Sequence, residues 1–143
     1  MHQDEGSRRS CEQLGAVVEA MLQVKEYRHY PMACISAWIR PAILLDQIKV
    51  FFDERGLPAG YLTWAYLAPD VEERWITDPT FIPHLSEWCE GGSLWIMSFV
   101  APSGYAREMI GYAKAHLFKD FVVAKSLRRG GDGVVRRISR WRR

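Results

Sequence analysis

The sequence predicts an α+β fold in which helices flank a mixed, mainly antiparallel sheet. Two apolar segments, QIKVFFD and AGYLTWAYL, surround the charged Gly/Pro turn ERGLP, which is the pattern of a β-hairpin. Farther along, a strand, a helix and another strand follow one another, as in a crossover connection within a mixed sheet. Because the chain has 143 residues and 48% of them are hydrophobic, we expect a single domain that spans residues 1–143 and has one core.

Two helices are predicted before the hairpin. Residues 1–11 are polar and carry both charge signs, so we expect a flexible N-terminal segment and no secretory signal there. Residues 11–26 place an apolar stripe at helical spacing, which comprises Leu14, Val17, Val18, Met21 and Leu22. Pro31 breaks this helix, and residues 32–45 predict a buried second helix that is kinked or ended near Pro41.

The elements after the hairpin follow from local patterns. The segment PDVEERWI predicts a short helix with acidic residues in its first turn, where the helix dipole favours them. Residues 78–92 are expected to be irregular because they contain two prolines and a glycine pair. The last predicted elements are a strand over SLWIMSFV, a helix over YAREMIGYAKAHLF, a strand over FVVAKSL, a turn at RRGGDG and a strand over VVRRISRW.

Composition limits the function classes. Cys11, Cys34 and Cys89 lie far apart without zinc-site spacing, which is typical of a reduced, cytoplasmic protein with free thiols, and we predict no metal site. No apolar run approaches the ~20 residues that a transmembrane helix needs. The sequence also lacks the motifs of phosphate-binding loops, zinc proteases and serine hydrolases.

The charge is distributed unevenly. Residues 119–143 hold nine Lys/Arg against two Asp, whereas the first 118 residues hold ten Lys/Arg against fifteen Asp/Glu. A basic end favours an anionic partner, and a solvated tail that only aids solubility is the alternative. Apolar residues interleaved with the arginines indicate an ordered strand. Nucleic acid is the weakest choice of partner, since no recognition module is visible, and we predict none.

Four segments in order are similar to the RTX toxin-activating lysine acyltransferase family: YRHYPMACISAWIRPAILLDQ, LPAGYLTWAYL, LWIMSFVAPSG and SLRRGGDG. The similarity covers roughly residues 12 to 137, and Pro58, Tyr61, Trp64, Ala65 and the Ala101-Pro102 pair fit the family pattern. The resemblance implies a GNAT-like fold in a cytoplasmic enzyme without a bound cofactor. It further implies that the enzyme takes a fatty acyl group from acyl carrier protein, as a phosphopantetheine thioester. The implied acceptor is a lysine of an RTX-type protoxin.

Two positions depart from the family pattern where the resemblance expects catalytic residues. Tyr27 stands at the position of the catalytic His, and Ser98 stands at that of the catalytic Asp. Lysine acylation needs a base poised near neutrality, whereas tyrosine is mostly protonated at pH 7 and serine supplies no charge. His29 is the candidate replacement. If residues 27–29 are extended, its ring points the same way as Tyr27, and if they are helical it does not. The predicted catalytic set is His29, Tyr27 and Ser98.

The predicted donor-binding residues come from three segments. Arg28 suits a thioester oxyanion or a pantetheine phosphate, and Tyr61 and Trp64 either line an acyl channel or fill the core. A basic segment with Arg128 and Arg129 is expected to dock an acidic carrier protein; its other members are Lys125, Arg136 and Arg137. The alternative function is a catalytically silent relative that binds a carrier protein or a client. An exposed sheet edge or apolar patch also allows a homodimer.

Overall fold

The computed structural model of this protein describes residues 5–102, 104–130 and 133–142. The α-helices are α1 (Glu5–Leu22), α2 (Met32–Trp38), α3 (Arg40–Leu44), α4 (Pro69–Thr77) and α5 (Ala106–Tyr112). The strands are β1 (Ile48–Phe52), β2 (Pro58–Leu67), β3 (Ser93–Val100), β4 (Val123–Arg129) and β5 (Val135–Arg142). Short 3-10 helices span Lys25–His29 and Leu85–Trp88, and a π-helical turn, Ala113–Leu117, continues α5.

The five strands form one mixed sheet in the order β1-β2-β3-β4-β5. β1 and β2 are the predicted antiparallel hairpin, and β4 and β5 form a second antiparallel pair. β3 and β4 are parallel, and α5 lies in the crossover between them. The predicted α+β class, with a mixed sheet and helices, is therefore confirmed. The turn predicted at RRGGDG includes residues 131 and 132, which lie outside the described residues.

The chain divides into two compact units. The first comprises Met1–Thr63 with Phe99–Met109, and the second comprises Trp64–Ser98 with Ile110–Arg143. Buried residues of the first unit include Val17, Ala20, Met21, Ile43, Ile48, Tyr61 and Leu62. Buried residues of the second include Leu67, Val71, Trp88, Leu94, Trp95, Ile96 and Phe118. A single domain over residues 1–143 stays a prediction.

The N-terminal helices differ from the sequence prediction in two ways. α1 begins at Glu5, so residues 5–11, which were expected in a flexible segment, are instead helical; residues 1–4 lie outside the description. The predicted break near Pro41 is confirmed, because α2 and α3 are separated at Ile39. The prediction that this whole region is buried is wrong, since α2 has no buried residue and Met32 is 83% exposed.

Strand β2 is embedded on both faces, since most of its residues are buried. Gly60 permits a close approach within the first unit, because a Cβ atom there would lie 2.4 Å from the carbonyl oxygen of Val100. At the turn before β2, the Asp53 carboxylate accepts hydrogen bonds from the backbone N–H groups of Arg55 and Leu57, at 2.8 and 3.0 Å. The buried hydrophobic side chains and the hydrogen bonds that Asp53 accepts within the turn thus fix the register of the hairpin.

Two further predictions concern the chain as a whole. Cys11, Cys34 and Cys89 form no disulfide, and each is a free cysteine. Over the described ranges, no helix combines the length and the apolar character that crossing a bilayer requires.

Candidate functional site

The segment that follows α1 is a 3-10 helix, Lys25–His29, in the first unit. Arg28 is exposed, and its Nε donates a hydrogen bond to the carbonyl oxygen of Leu22, at 2.8 Å. This bond satisfies one of the carbonyl groups that the end of a helix leaves without a partner. Gln23 in turn donates from Nε2 to the carbonyl oxygen of Pro58, at 2.8 Å, which ties this segment to the start of β2.

Tyr27 is half-buried within this 3-10 helix. Its ring meets the ring of Tyr30 edge-on, with centroids 4.8 Å apart. Burial raises the pKa of the Tyr27 phenol above its ordinary value, and the neighbouring Tyr30 and Glu26 raise that pKa further. A raised pKa favours the protonated phenol at neutral pH, which weighs against Tyr27 as the base.

The structure does not align the side chain of His29 with that of Tyr27. A 3-10 helix has about three residues per turn, so side chains two positions apart diverge by about 120° around its axis. The extended geometry that would align the two side chains is not the one observed. His29 is exposed and makes no hydrogen bond or ion pair with the residues that the structure describes. The catalytic roles of His29 and Tyr27 stay predictions.

Ser98 lies near the end of β3, in the second unit, and is partly buried. The parallel register of β3 and β4 pairs Trp95 with Lys125 and Ile96 with Ser126. Because strand side chains alternate between faces, Ser98 shares a face with Ile96 and therefore also with Ser126 and Arg128. Ser98 thus lies on the same face of the sheet as one of the predicted donor-binding arginines.

The two aromatic residues predicted near an acyl channel are buried. Tyr61 is 2% exposed and Trp64 is 7% exposed, and their odd separation along β2 places them on opposite faces of the strand. The Trp64 ring meets the Phe118 ring edge-on, with centroids 5.4 Å apart, so it packs in the core of the second unit. Both side chains are buried, as expected for residues that fill the core. A role for either side chain in lining an acyl channel stays a prediction.

A partly buried ion pair lies on the other face of β4. The Oε1 atom of Glu72, in α4, accepts hydrogen bonds from Lys125 Nζ at 2.9 Å, Trp95 Nε1 at 2.9 Å and Ser93 Oγ at 2.8 Å. Burial alone raises the pKa of Glu72, but these hydrogen bonds and the ammonium charge outweigh it, so the pKa is lowered. No local sequence signal marks Glu72 as the partner of Lys125, which was expected to be available to a carrier protein.

Arg129 is also engaged inside the second unit. Its guanidinium donates to the carbonyl oxygens of Gly133 at 2.9 Å, of Ile76 at 3.4 Å and of Trp75, and it lies 5.8 Å from the Trp75 ring centroid. These contacts join β4 to the end of α4 and to the loop before β5. Donor binding by Arg129 was predicted from its charge, and the observed contacts give its guanidinium a role in the fold.

Arg128 differs from its neighbour Arg129 because it points away from these contacts. It is exposed, and the antiparallel register places it directly opposite Arg137 of β5, which is exposed as well. Neither side chain makes a hydrogen bond or an ion pair with the residues that the structure describes. Arg128 and Arg137 are therefore the members of the basic segment that face each other without a counter-charge in the described part of the chain.

Comparison with known proteins agrees with the sequence resemblance. The chain is 27% identical over 121 residues to uncharacterized protein sll0720 of Synechocystis sp., a match that covers 84% of this chain and 81% of that protein. It is 27% identical to lysine-acyltransferase RtxC of Vibrio cholerae and 28% identical to protein-lysine myristoyltransferase RtxC of Kingella kingae, over 92 residues each. These two matches cover 64% of this chain and 60% and 54% of the two enzymes, so the chain spans little more than half of their length.

The family assignment rests on a longer match. The model of the RTX toxin acyltransferase family matches residues 7–142, which include nearly all of the described elements. The resemblance predicted from four segments is thereby confirmed, and this chain belongs to the RTX toxin acyltransferase family.

Proposed function

We propose that this protein transfers a fatty acyl group from a carrier-borne thioester to the ε-amine of a lysine in a protein client. The observation that carries the proposal is the family match over residues 7–142. The names of the relatives from Vibrio cholerae and Kingella kingae support lysine as the acceptor, and the second supports a myristoyl group as a donor worth testing. Acyl carrier protein, an RTX-type protoxin client and a cytoplasmic location follow from the resemblance. The homodimer also stays an expectation.

The reaction forms one bond and breaks another. The lysine nitrogen attacks the thioester carbonyl, the C–N bond forms, and the C–S bond breaks to release the carrier thiol. A lysine ammonium has a pKa of about 10.4, so a base must remove its proton before attack. The raised pKa of Tyr27 weighs against that phenol as the base at neutral pH. The resemblance carries the proposed roles: the imidazole of His29 is the proposed base, Ser98 is a proposed neutral hydrogen-bonding group, and an N–H near Val100 or Ala101 is proposed for the oxyanion.

A second candidate function is binding without catalysis. It is favoured by the 3-10 geometry of residues 25–29, which points His29 away from the direction of Tyr27. It is also favoured by the replacement of both family catalytic positions, since general acid–base catalysis is worth about 100-fold to 10,000-fold in rate. In this case the protein keeps the fold and binds a carrier protein or a client.

One assay separates the two functions. Wild-type protein is mixed with myristoyl acyl carrier protein and an RTX-type protoxin, and lysine acylation is followed by mass spectrometry. The variants are His29→Ala, the double variant Tyr27→His/Ser98→Asp, and His116→Ala as a matched control, because His116 is an exposed histidine on another element. We expect activity in the wild type and the control, and its loss in His29→Ala. Activity only in the double variant would instead identify a silent relative.

A further inference from the structure

The pairing of Arg128 with Arg137 places two like charges directly across neighbouring strands. Residues directly opposite each other in an antiparallel pair have Cβ atoms about 4.5–5.5 Å apart, and like charges on two such side chains destabilise the pair. Lys125 and Arg129, by contrast, have partners in α4. The fold therefore retains an unfavourable juxtaposition on an exposed face, and an anion bound there would offset it.

Two hydroxyl groups lie beside the arginine pair. Ser126 of β4 is directly opposite Ser139 of β5, in the register position two residues before Arg128. Because side chains alternate along a strand, both cross-strand pairs lie on the same face of the sheet. Ser126, Arg128, Arg137 and Ser139 are called the arginine–serine patch below. The patch offers two guanidinium forks and two hydroxyl donors within two adjacent cross-strand pairs.

We propose that the arginine–serine patch binds the phosphodiester of the phosphopantetheine arm that carries the acyl group. Guanidinium groups match phosphate oxygens in a bidentate geometry, and serine hydroxyls donate to the same oxygens. The identity of the donor rests on the proposed function, whereas the preference for a phosphate ester rests on the patch itself. Ser98 shares this face of the sheet, so the arm would lie on the face that holds the family's acid position.

The compactness of the patch favours a phosphate over an acidic protein surface. An acidic protein surface is wide, so we expect it to contact basic residues that are distributed over the hairpin. Arg140 and Arg142 of β5 are basic residues of this kind: both are exposed, and both lie on the face opposite to the arginine–serine patch. Charged residues on an edge strand also discourage aggregation, which is the alternative explanation for all of these arginines. That alternative predicts no difference between the two faces, and the phosphodiester proposal predicts a large one.

The test uses one carrier protein in two forms that differ only in the arm. Binding of the full-length protein to a purified bacterial acyl carrier protein is measured by fluorescence anisotropy, with the carrier in its apo form and in its phosphopantetheinylated form. We expect the wild type to bind the phosphopantetheinylated form more tightly. The variant Arg128→Gln/Arg137→Gln is expected to weaken that binding by about 10-fold or more, to the level of the apo form.

The matched control removes two charges from the other face of the same hairpin. Arg140→Gln/Arg142→Gln changes the net charge by the same amount, and we expect it to keep the preference for the phosphopantetheinylated carrier. A third variant, Arg128→Lys/Arg137→Lys, keeps the charge and loses the fork geometry, so it should lose most of the preference. Thermal unfolding of each variant verifies that it is folded.

Three results would overturn the proposal. They are equal wild-type affinity for the two carrier forms, binding of neither form, and an equal loss of the preference in both Gln double variants. Because binding needs no turnover, a protein that prefers the phosphopantetheinylated carrier but acylates no lysine would contradict the proposed acyltransferase function and leave the patch assignment standing. Lysine acylation that is the same in the wild type and in Arg128→Gln/Arg137→Gln, together with equal binding of the two carrier forms, would support the proposed acyltransferase function and contradict the patch assignment.

Discussion

Two pairs of basic residues on opposite faces of the β4–β5 hairpin have different surroundings. On one side, Lys125 and Arg129 donate to a carboxylate and to carbonyl groups of α4, and both are partly buried. On the other, Arg128 and Arg137 are exposed and lie opposite each other without such partners among the described residues. The difference teaches that a count of charges along a strand does not separate residues with partners in the fold from residues that are exposed without a counter-charge in the described part of the chain.

The largest effect on stability is expected from removing the Glu72 carboxylate, which accepts hydrogen bonds from Lys125 and Trp95. Glu72→Ala leaves the indole N–H of the buried Trp95 without its acceptor and leaves the ammonium of Lys125 with only the Ser93 hydroxyl, at 3.4 Å. Unsatisfied groups of this kind cost about 1–3 kcal/mol each, so we expect a loss of about 2–3 kcal/mol. Urea unfolding measures it, with the exposed Glu12→Ala as the control on a surface pair. A loss as small as that of the control would mean that the cluster does not stabilise the fold.

Replacing the guanidinium group of Arg129 is expected to lower the free energy of unfolding somewhat less. Its guanidinium donates to carbonyl oxygens of Gly133, Trp75 and Ile76, and it lies near the Trp75 ring. Arg129→Lys keeps the charge but not the planar fork, and we expect a loss of about 1–2 kcal/mol in urea unfolding. The neighbouring Arg128→Lys serves as the matched control and should cost almost nothing. Similar losses for the two variants would erase the distinction between the faces.

The ion pair also predicts how stability depends on pH. Because the folded-state pKa of Glu72 is lowered, its contribution is fully present above the unfolded-state pKa, which is about 4.3. The contribution is then lost as the pH falls from that value through the folded-state pKa. The difference in unfolding free energy between wild type and Glu72→Gln should therefore be constant near neutrality and shrink below about pH 4.3. A difference that stays constant down to pH 3 would contradict the assigned ion pair.

The smallest effect on the free energy of unfolding is expected from a change at Arg128, and this change is expected to stabilise the protein rather than destabilise it. Arg128→Gln removes a like charge from directly opposite Arg137, so the free protein should be unchanged or slightly more stable, by up to about 0.5 kcal/mol. Added salt should diminish any gain, because it screens the repulsion in the wild type. Destabilisation by more than 1 kcal/mol would show that Arg128 holds the fold as Arg129 does.

Local patterns were sufficient to predict most of the fold. Two apolar segments around a charged Gly/Pro turn predicted β1 and β2, and the strand–helix–strand order predicted the crossover that joins β3 and β4. The exposure of α2 was missed because nothing in its short apolar run indicates which side packs. The 3-10 conformation of residues 25–29 was left open, since Pro31 ends a helix without specifying the turn before it.

The candidate site was only partly predictable for a related reason. Tyr27 and Ser98 were recognised as departures because they occupy positions of a known pattern. Glu72 and Lys125 are 53 residues apart, and no local pattern links them. The pairing of Arg128 with Arg137 depends on the register of β4 and β5, which a bulge after Arg128 shifts. The sequence shows which residues are charged, but the face of the sheet on which each charged residue lies depends on the register of the paired strands.

The most direct test of acyl transfer is the mass of a client lysine after reaction with myristoyl acyl carrier protein, with the Kingella kingae RtxC enzyme as the positive control. Wild-type protein is predicted to add one myristoyl group to a lysine of an RTX-type protoxin, and His29→Ala is predicted not to. An unmodified protoxin after incubation with folded wild-type protein, under conditions in which the control enzyme modifies it, would contradict the proposed function.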